Sequence, residues 1–261
     1  MSTPPAVRVW ESNYALYKRI WRSNLLGSLL QPLLYLLGMG VGVGTLVDQG
    51  SSSAEILGGV DYFAFLAPAL LATTAMIVVA QEAMWPVMDG FMWSNAYRAM
   101  AATPLRPADV AAGTTLWHAT RGALAAGGVA VVLALFPSTR SWGLLLAVPF
   151  ATLTGMAFAS PITAWSSTRE AGDQSFPAIM RFGIIPMFLF AGAFYPIDQL
   201  PDWLQTVAVA TPLYHGVELC RGAVLGTLGV AAALVHVAVL LAYWLAGFVI
   251  CQRTFTRRLA V

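Results

Sequence analysis

Few residues in this chain are of a type that does chemistry, and their spacing assembles no catalytic constellation. The three histidines, His118, His215 and His236, stand far apart in sequence. The two cysteines, Cys220 and Cys251, sit near opposite ends of the last apolar region, with no CxxC, so neither a metal cluster nor an internal disulfide is expected. A P-loop needs G-x-x-x-x-G-K-[ST], whose lysine reaches the nucleotide phosphates. Lys18 is the only lysine and follows Tyr17, so the chain cannot hydrolyse a nucleotide that way. The remaining ionisable residues are informative by position. Arg121 lies about a dozen residues into an apolar run, with His118 at i−3 on the same face. A charge at membrane depth is costly, and it marks either a polar site on a transport route or a structural pair with an acid or carbonyl on a neighbouring helix. Glu82 lies near the end of another apolar run, ahead of Asp89. An acid there could meet a partner protein or simply mark the interface. Glu218 and Arg221, at i and i+3, can form a local ion pair. A membrane-embedded enzyme would need a polar site near one membrane face, and only His215 with Glu218 and Asp198 could be arranged that way.

The elements that must position these residues follow from composition. The chain has 261 residues, 58% hydrophobic and 10% charged, against roughly 25% charged in a soluble domain. That is too little polar surface to cover a globule in water, so lipid must cover the rest. Nine Trp and eight Tyr suit interfacial belts. A net charge of +2, with scattered basic residues, leaves no footprint for nucleic acid. The polar, basic N-terminus is not a secretory signal. A bilayer core of about 30 Å needs about 20 apolar residues. Such runs at 25–47, 62–85, 108–136, 142–165, 176–194 and 226–251 predict an all-α integral membrane protein with six transmembrane helices. Residues 1–24 precede them. There Trp10, Tyr14, Tyr17 and Trp21 share one helical face, as in an amphipathic helix lying in the interface. Gly38/Gly42 and Gly40/Gly44 are overlapping GxxxG pairs that permit close helix packing. Between 195 and 221, Pro196, Pro201 and Pro212 leave apolar pieces too short to span, which reads as a re-entrant hairpin before the last span. The transmembrane domain then covers 25–251, and 252–261 is a basic tail.

Orientation follows from the basic residues. Arg8, Lys18, Arg19, Arg22, Arg98, Arg106, Arg169, Arg181, Arg253, Arg257 and Arg258 fall on one side of a six-span arrangement, against Arg140 and Arg221 on the other. The positive-inside rule puts both termini, the 86–107 segment and the 166–175 loop in the cytoplasm. The acidic 48–61 loop and the hairpin are then external.

Three passages resemble the membrane subunit of type-2 ABC exporters, in the group of nodulation protein J and the daunorubicin-resistance permease. The first runs from Tyr97-Arg98-Ala99-Met100 through Thr103-Pro104-Leu105-Arg106-Pro107 to Asp109, Gly113, Trp117 and Arg121. The others are Phe190-Ala191-Gly192-Ala193-Phe194-Tyr195-Pro196-Ile197-Asp198 and Thr211-Pro212-Leu213-Tyr214-His215-Gly216-Val217-Glu218. The resemblance implies that a helix at about 87–102 docks into a separate P-loop ATPase, with Glu82, Asp89, Tyr97 and Arg98 as candidate contacts. Residues 5–23 would touch the same ATPase. Two permease copies, identical or paralogous, would pair in the membrane lipid above two ATPases. ATP and Mg would belong to that partner, with no cofactor bound by this chain. The implied function is export of a lipid-linked saccharide or amphipathic drug across the cytoplasmic membrane. An aromatic-rich pathway is expected between spans one, two and five, with His118 and Arg121 as candidate pathway residues. Tyr195, Asp198, His215, Glu218 and Arg221 are candidates on the external hairpin. The rival is a secondary carrier driven by an ion gradient, which would need mid-span carboxylates. The acids here lie near span ends or in loops.

Overall fold

The computed structural model describes residues 3–50, 53–170, 173 and 175–260. Ser51 and Ser52 of the acidic loop, and Ala171, Gly172 and Gln174 of the 166–175 loop, lie outside these described residues. All regular structure among them is helical. Besides the short helical turns Ser53–Ile56 and Ile197–Gln199, the elements are α1 (Pro5–Tyr35), α2 (Tyr62–Met92), α3 (Ala96–Ala101), α4 (Pro107–Leu133), α5 (Gly143–Ser166), α6 (Ser175–Phe190), α7 (Asp202–Ala210), α8 (Pro212–Leu225) and α9 (Val230–Leu259). A π-helical stretch, Leu36–Val43, and a helical turn, Gly44–Val47, carry α1 onward without a break. Among the described residues, five helices are long and apolar enough to cross a membrane, and the chain is an all-α integral membrane protein. The sixth candidate, Ser175–Phe190, is shorter than 18 residues.

Several boundaries differ from the sequence expectation, each for a physical reason. Residues 5–23 do not form a helix separate from the first span. No Gly or Pro falls between Ser23 and Leu26, and the helix simply continues. The aromatic face also divides. Trp10 donates from Nε1 to Thr120 Oγ1 at 2.8 Å and Tyr17 packs edge-on against Trp117 at 5.5 Å, while Tyr14 and Trp21 remain exposed. Pro86 does not end α2. Pro is tolerated in membrane helices where neighbours re-satisfy the backbone, and the next turn buries Val87, Met88 and Phe91. The 87–102 segment is therefore not one helix. Its first part completes α2, Asn95 takes a left-handed φ of 52°, and only Ala96–Ala101 forms a new turn of helix. The fifth span stops at Phe190, short of Phe194, because Gly192 adopts φ 78°. The basic tail is the last part of α9, where Phe255 and Leu259 are buried.

The helices run in alternating directions. Val9 packs on Gly113 and Leu29 on Gly128, so α1 and α4 are parallel. Phe63 meets Phe136 and Val79 meets Gly122, so α2 is antiparallel to α4. The buried α2 packs most extensively on α5, which packs in turn on α9. Gly40 and Gly44 of the predicted pairs do lie against Phe63 and Tyr62 of α2, while Gly38 faces open space. At one end of the bundle, Val9, Phe91, Tyr97, Val110, Ala164 and Phe255 form a shared cluster. Arg258 donates there to the Ser167 carbonyl and stacks over Phe91 at 4.6 Å. This gathers the N-terminus, the 86–107 segment, the end of α5 and the C-terminus on one side.

At the opposite end, α7 and α8 form a hairpin that descends into the bundle. Tyr243 Oη donates to the Ala210 carbonyl at 2.8 Å, about 20 Å along α9 from its start. From this low point α8 climbs antiparallel to α5, with Gly216 on Thr154 and Ala223 on Gly143. Arg221 anchors the climb. It donates to Glu218 Oε1 at 2.9 Å, to the Phe65 carbonyl at 3.1 Å and to the Gly192 carbonyl at 2.6 Å, with its guanidinium 3.7 Å from the Phe65 ring centroid. The expected Glu218–Arg221 pair is present, and it is one bond of a junction joining three segments.

Close approach of α5 and α8 requires glycine at 143, where a Cβ would meet the Ala223 carbonyl. We expect Gly143→Ala to destabilise the detergent-purified chain by about 1–3 kcal/mol through overpacking. Gly127→Ala, with nothing near its added Cβ, serves as the control. Thermal melting of the two variants checks the contrast.

Candidate functional site

A groove of about 730 Å³ opens between α1, α2 and α6. These are the first, second and fifth of the expected spans. Its α1 wall carries Asn24, Ser28, Gln31 and Tyr35, at steps of four, three and four, on one helical face. Its α2 wall carries Thr73, Thr74, Gln81 and Glu82, and Phe188 closes it from α6. A π-helical stretch, Leu36–Val43, directly follows the α1 wall, and another, Ile179–Ile184 in α6, holds Met180 of the lining. Such stretches recur at functional sites. The lining is less aromatic than the pathway expected above. Tyr35, Trp85 and Phe188 are its aromatic residues, and hydroxyl and amide side chains share it with apolar ones.

Arg121 reaches the groove from α4. Its Nε donates to Glu82 Oε1 at 2.7 Å, its Nη2 donates to Asn24 Oδ1 at 3.3 Å, and its guanidinium stacks 4.6 Å from the Tyr17 ring centroid. Trp117 Nε1 donates to the other Glu82 oxygen at 3.4 Å. Three helices thus meet at one charge pair whose side chains are 5% and 19% exposed, Arg121 and Glu82 respectively. Of the two sequence readings of Arg121, the paired one is realised. Glu82, a candidate ATPase contact on the family resemblance, is a member of this pair. Its carboxylate is occupied by Arg121, about 15 Å before the end of α2.

The other candidates scatter. His118 points away from the groove to Thr163 on α5, at 3.4 Å, and is buried. Tyr97 is buried against Phe91 and Phe255 and offers no surface to a partner. Asp89 is half-buried, and its carbonyl accepts from Ser94. Arg98 is exposed beside Asn95 and the exposed Trp93. Tyr195 and Asp198 lie ahead of the hairpin, where burial raises the Tyr195 phenol above its ordinary pKa. His215 does not join Asp198 and Glu218. It meets His236 of α9, Nδ1 to Nδ1, at 2.7 Å, a contact that needs one ring to donate and the other to accept. In the loop before α6, the Ser175 hydroxyl and then its backbone N–H hold Asp173 below the usual carboxylate range, with Arg169 adding to this.

Sequence reasoning missed the α1 stripe and Gln81, although polar residues at steps of four and three inside an apolar run were a readable signal. It had no signal for His215 meeting His236, which are 21 residues apart and on different helices.

A multi-pass helical bundle with a groove lined in part by polar side chains fits a transporter membrane subunit. Residues 7–225 match the family model described as ABC-2 type transporter, and the chain belongs to this family. It is 36% identical over 253 residues to nodulation protein J of Rhizobium leguminosarum bv. trifolii, covering 97% of this chain and 93% of that protein. Nodulation protein J of Rhizobium meliloti (strain 1021) is 32% identical over 256 residues, with 97% and 93% covered. That of Azorhizobium caulinodans is 26% identical over 216 residues, with 83% and 82% covered.

Removing one member of a buried pair strands the other. We expect Glu82→Ala to cost about 3 kcal/mol, the low end for such pairs because Glu82 is partly exposed. The double variant Glu82→Met with Arg121→Met should recover most of that loss. Melting temperatures of the single and double variants decide it.

Proposed function

We propose that this chain is the membrane permease of an ATP-driven exporter, powered by a separate P-loop ATPase, and that it moves a lipid-linked saccharide outward through the α1–α2–α6 groove. The observation that carries the reading is the groove itself, a polar cleft in an apolar bundle within an ABC-2 family chain. Hydroxyl and amide side chains exchange hydrogen bonds with sugar hydroxyls at little desolvation cost, and the surrounding apolar helices suit an acyl tail. Two copies pair to enclose the pathway, with two ATPases below.

The positive-inside rule supports a cytoplasmic placement of the end that gathers Arg8, Arg98, Arg106, Arg253 and Arg257, in the cytoplasmic membrane. The ATPase would dock at the turn after α2, where Trp93 is 55% exposed and Arg98 points outward. The α7–α8 hairpin is then external and re-entrant. A nucleotide-driven closure of the ATPases would move the α2 end, and that motion would reach the groove through the rigid helix.

Gentle purification of the tagged chain should bring down a subunit with a P-loop. Trp93→Asp combined with Arg98→Glu should abolish that association while the melting temperature of the bundle stays unchanged. In inverted vesicles, transport should survive collapse of the proton gradient and stop on ATP depletion. The reverse dependence, with no co-purifying ATPase, would establish the ion-driven carrier instead.

A further inference from the structure

We infer that Glu82 sets the charge selectivity of the groove, so that the head group accepted is an uncharged glycan and not one bearing phosphate or sulfate. This rests on the saccharide reading above. Among the described lining residues, Arg121 and Glu82 are the only charged ones. Arg121 alone would make an anion site, because guanidinium binds oxyanions through charge-assisted hydrogen bonds. Here it is already engaged. Nε lies on Glu82, Nη2 on Asn24, and the Tyr17 ring covers one face. Glu82 is the more exposed of the pair, so an oxyanion entering the groove meets a carboxylate beside the cation.

The remaining lining offers only neutral partners. Ser23, Asn24, Gln31, Thr73, Thr74 and Gln81 present neutral hydroxyls and amides; Ser23 and Thr73 already donate to the Ile20 and Ala69 carbonyls, which leaves their oxygens to accept, and Asn24 accepts from Arg121. Those groups match sugar hydroxyls and amides, and none of them neutralises a second charge. An anionic head group would have to displace Glu82 from Arg121, stranding a carboxylate, or sit without a counter-charge. Either route discriminates by leaving a charge unpaired. Glu82 is thus a specificity-determining residue, and its neighbour Gln81 marks where a further charge would enter.

The test uses the full-length chain in nanodiscs and two radiolabelled probes, octadecyl maltotrioside and the same glycoside carrying one sulfate, with partition into protein-free discs subtracted. Wild type should bind the neutral probe at least tenfold more tightly. Glu82→Gln should raise affinity for the sulfated probe at least tenfold. Gln81→Arg, which adds a positive charge at an exposed lining position and leaves the buried pair intact, should shift preference the same way and carries the test if the first variant does not fold. Equal wild-type affinities, or a ratio unmoved by both variants, would overturn the inference while leaving the saccharide reading standing. Binding of neither probe would overturn both.

Discussion

An arginine inside an apolar bundle must be fully partnered, and two arginines impose that rule on this fold. Arg121 joins α1, α2 and α4 through Asn24, Tyr17 and Glu82. Arg221 joins α8 to α2 and to the end of α6 through the carbonyls of Phe65 and Gly192. An unpaired charge at such depth is prohibitive, so each arginine holds its helices in one mutual arrangement. Both act on α2, one near its start at Phe65 and one about 15 Å before its end at Glu82. That helix is the most deeply buried of the long ones, and it is pinned at two levels by side chains from other elements.

On the reading proposed above, this pinning lets α2 carry a motion along the bundle. A rigid α2 reaches from the exposed Trp93 turn, past Glu82 and Gln81 in the groove, to Phe65 beneath the hairpin. Force applied at one end has few places to dissipate. The walls that face α2 across the groove are different in kind. The α1 wall runs on into the π-helical stretch Leu36–Val43, which carries Gly38, Gly40 and Gly42, and α6 includes the π-helical stretch Ile179–Ile184.

The sequence made the class legible because apolar run length and arginine asymmetry are one-dimensional signals. The third and fourth spans, expected at 108–136 and 142–165, lie within a few residues of α4 and α5. One proline misled, where lipid-buried context overrides propensity. Pro86, read as lying beyond the second span, sits inside α2, whereas Gly192 ends α6 through its backbone angle. Partner choice was the least legible. Glu82 looked like a surface acid because it stands close to the end of an apolar run, yet a helix that continues to Met92 puts it inside. Tyr97, a candidate contact through the family resemblance, folds back onto Gly90 and Phe91. His118 and Arg121, one turn apart, face different neighbours because an i,i+3 offset still leaves about 60° between side-chain directions. Composition tells how many polar groups the bundle contains. Only the packing of α1 against α2 and α4 tells that the amides of Asn24, Gln31 and Gln81 converge on one cleft, and that the single cation there has already been answered by Glu82.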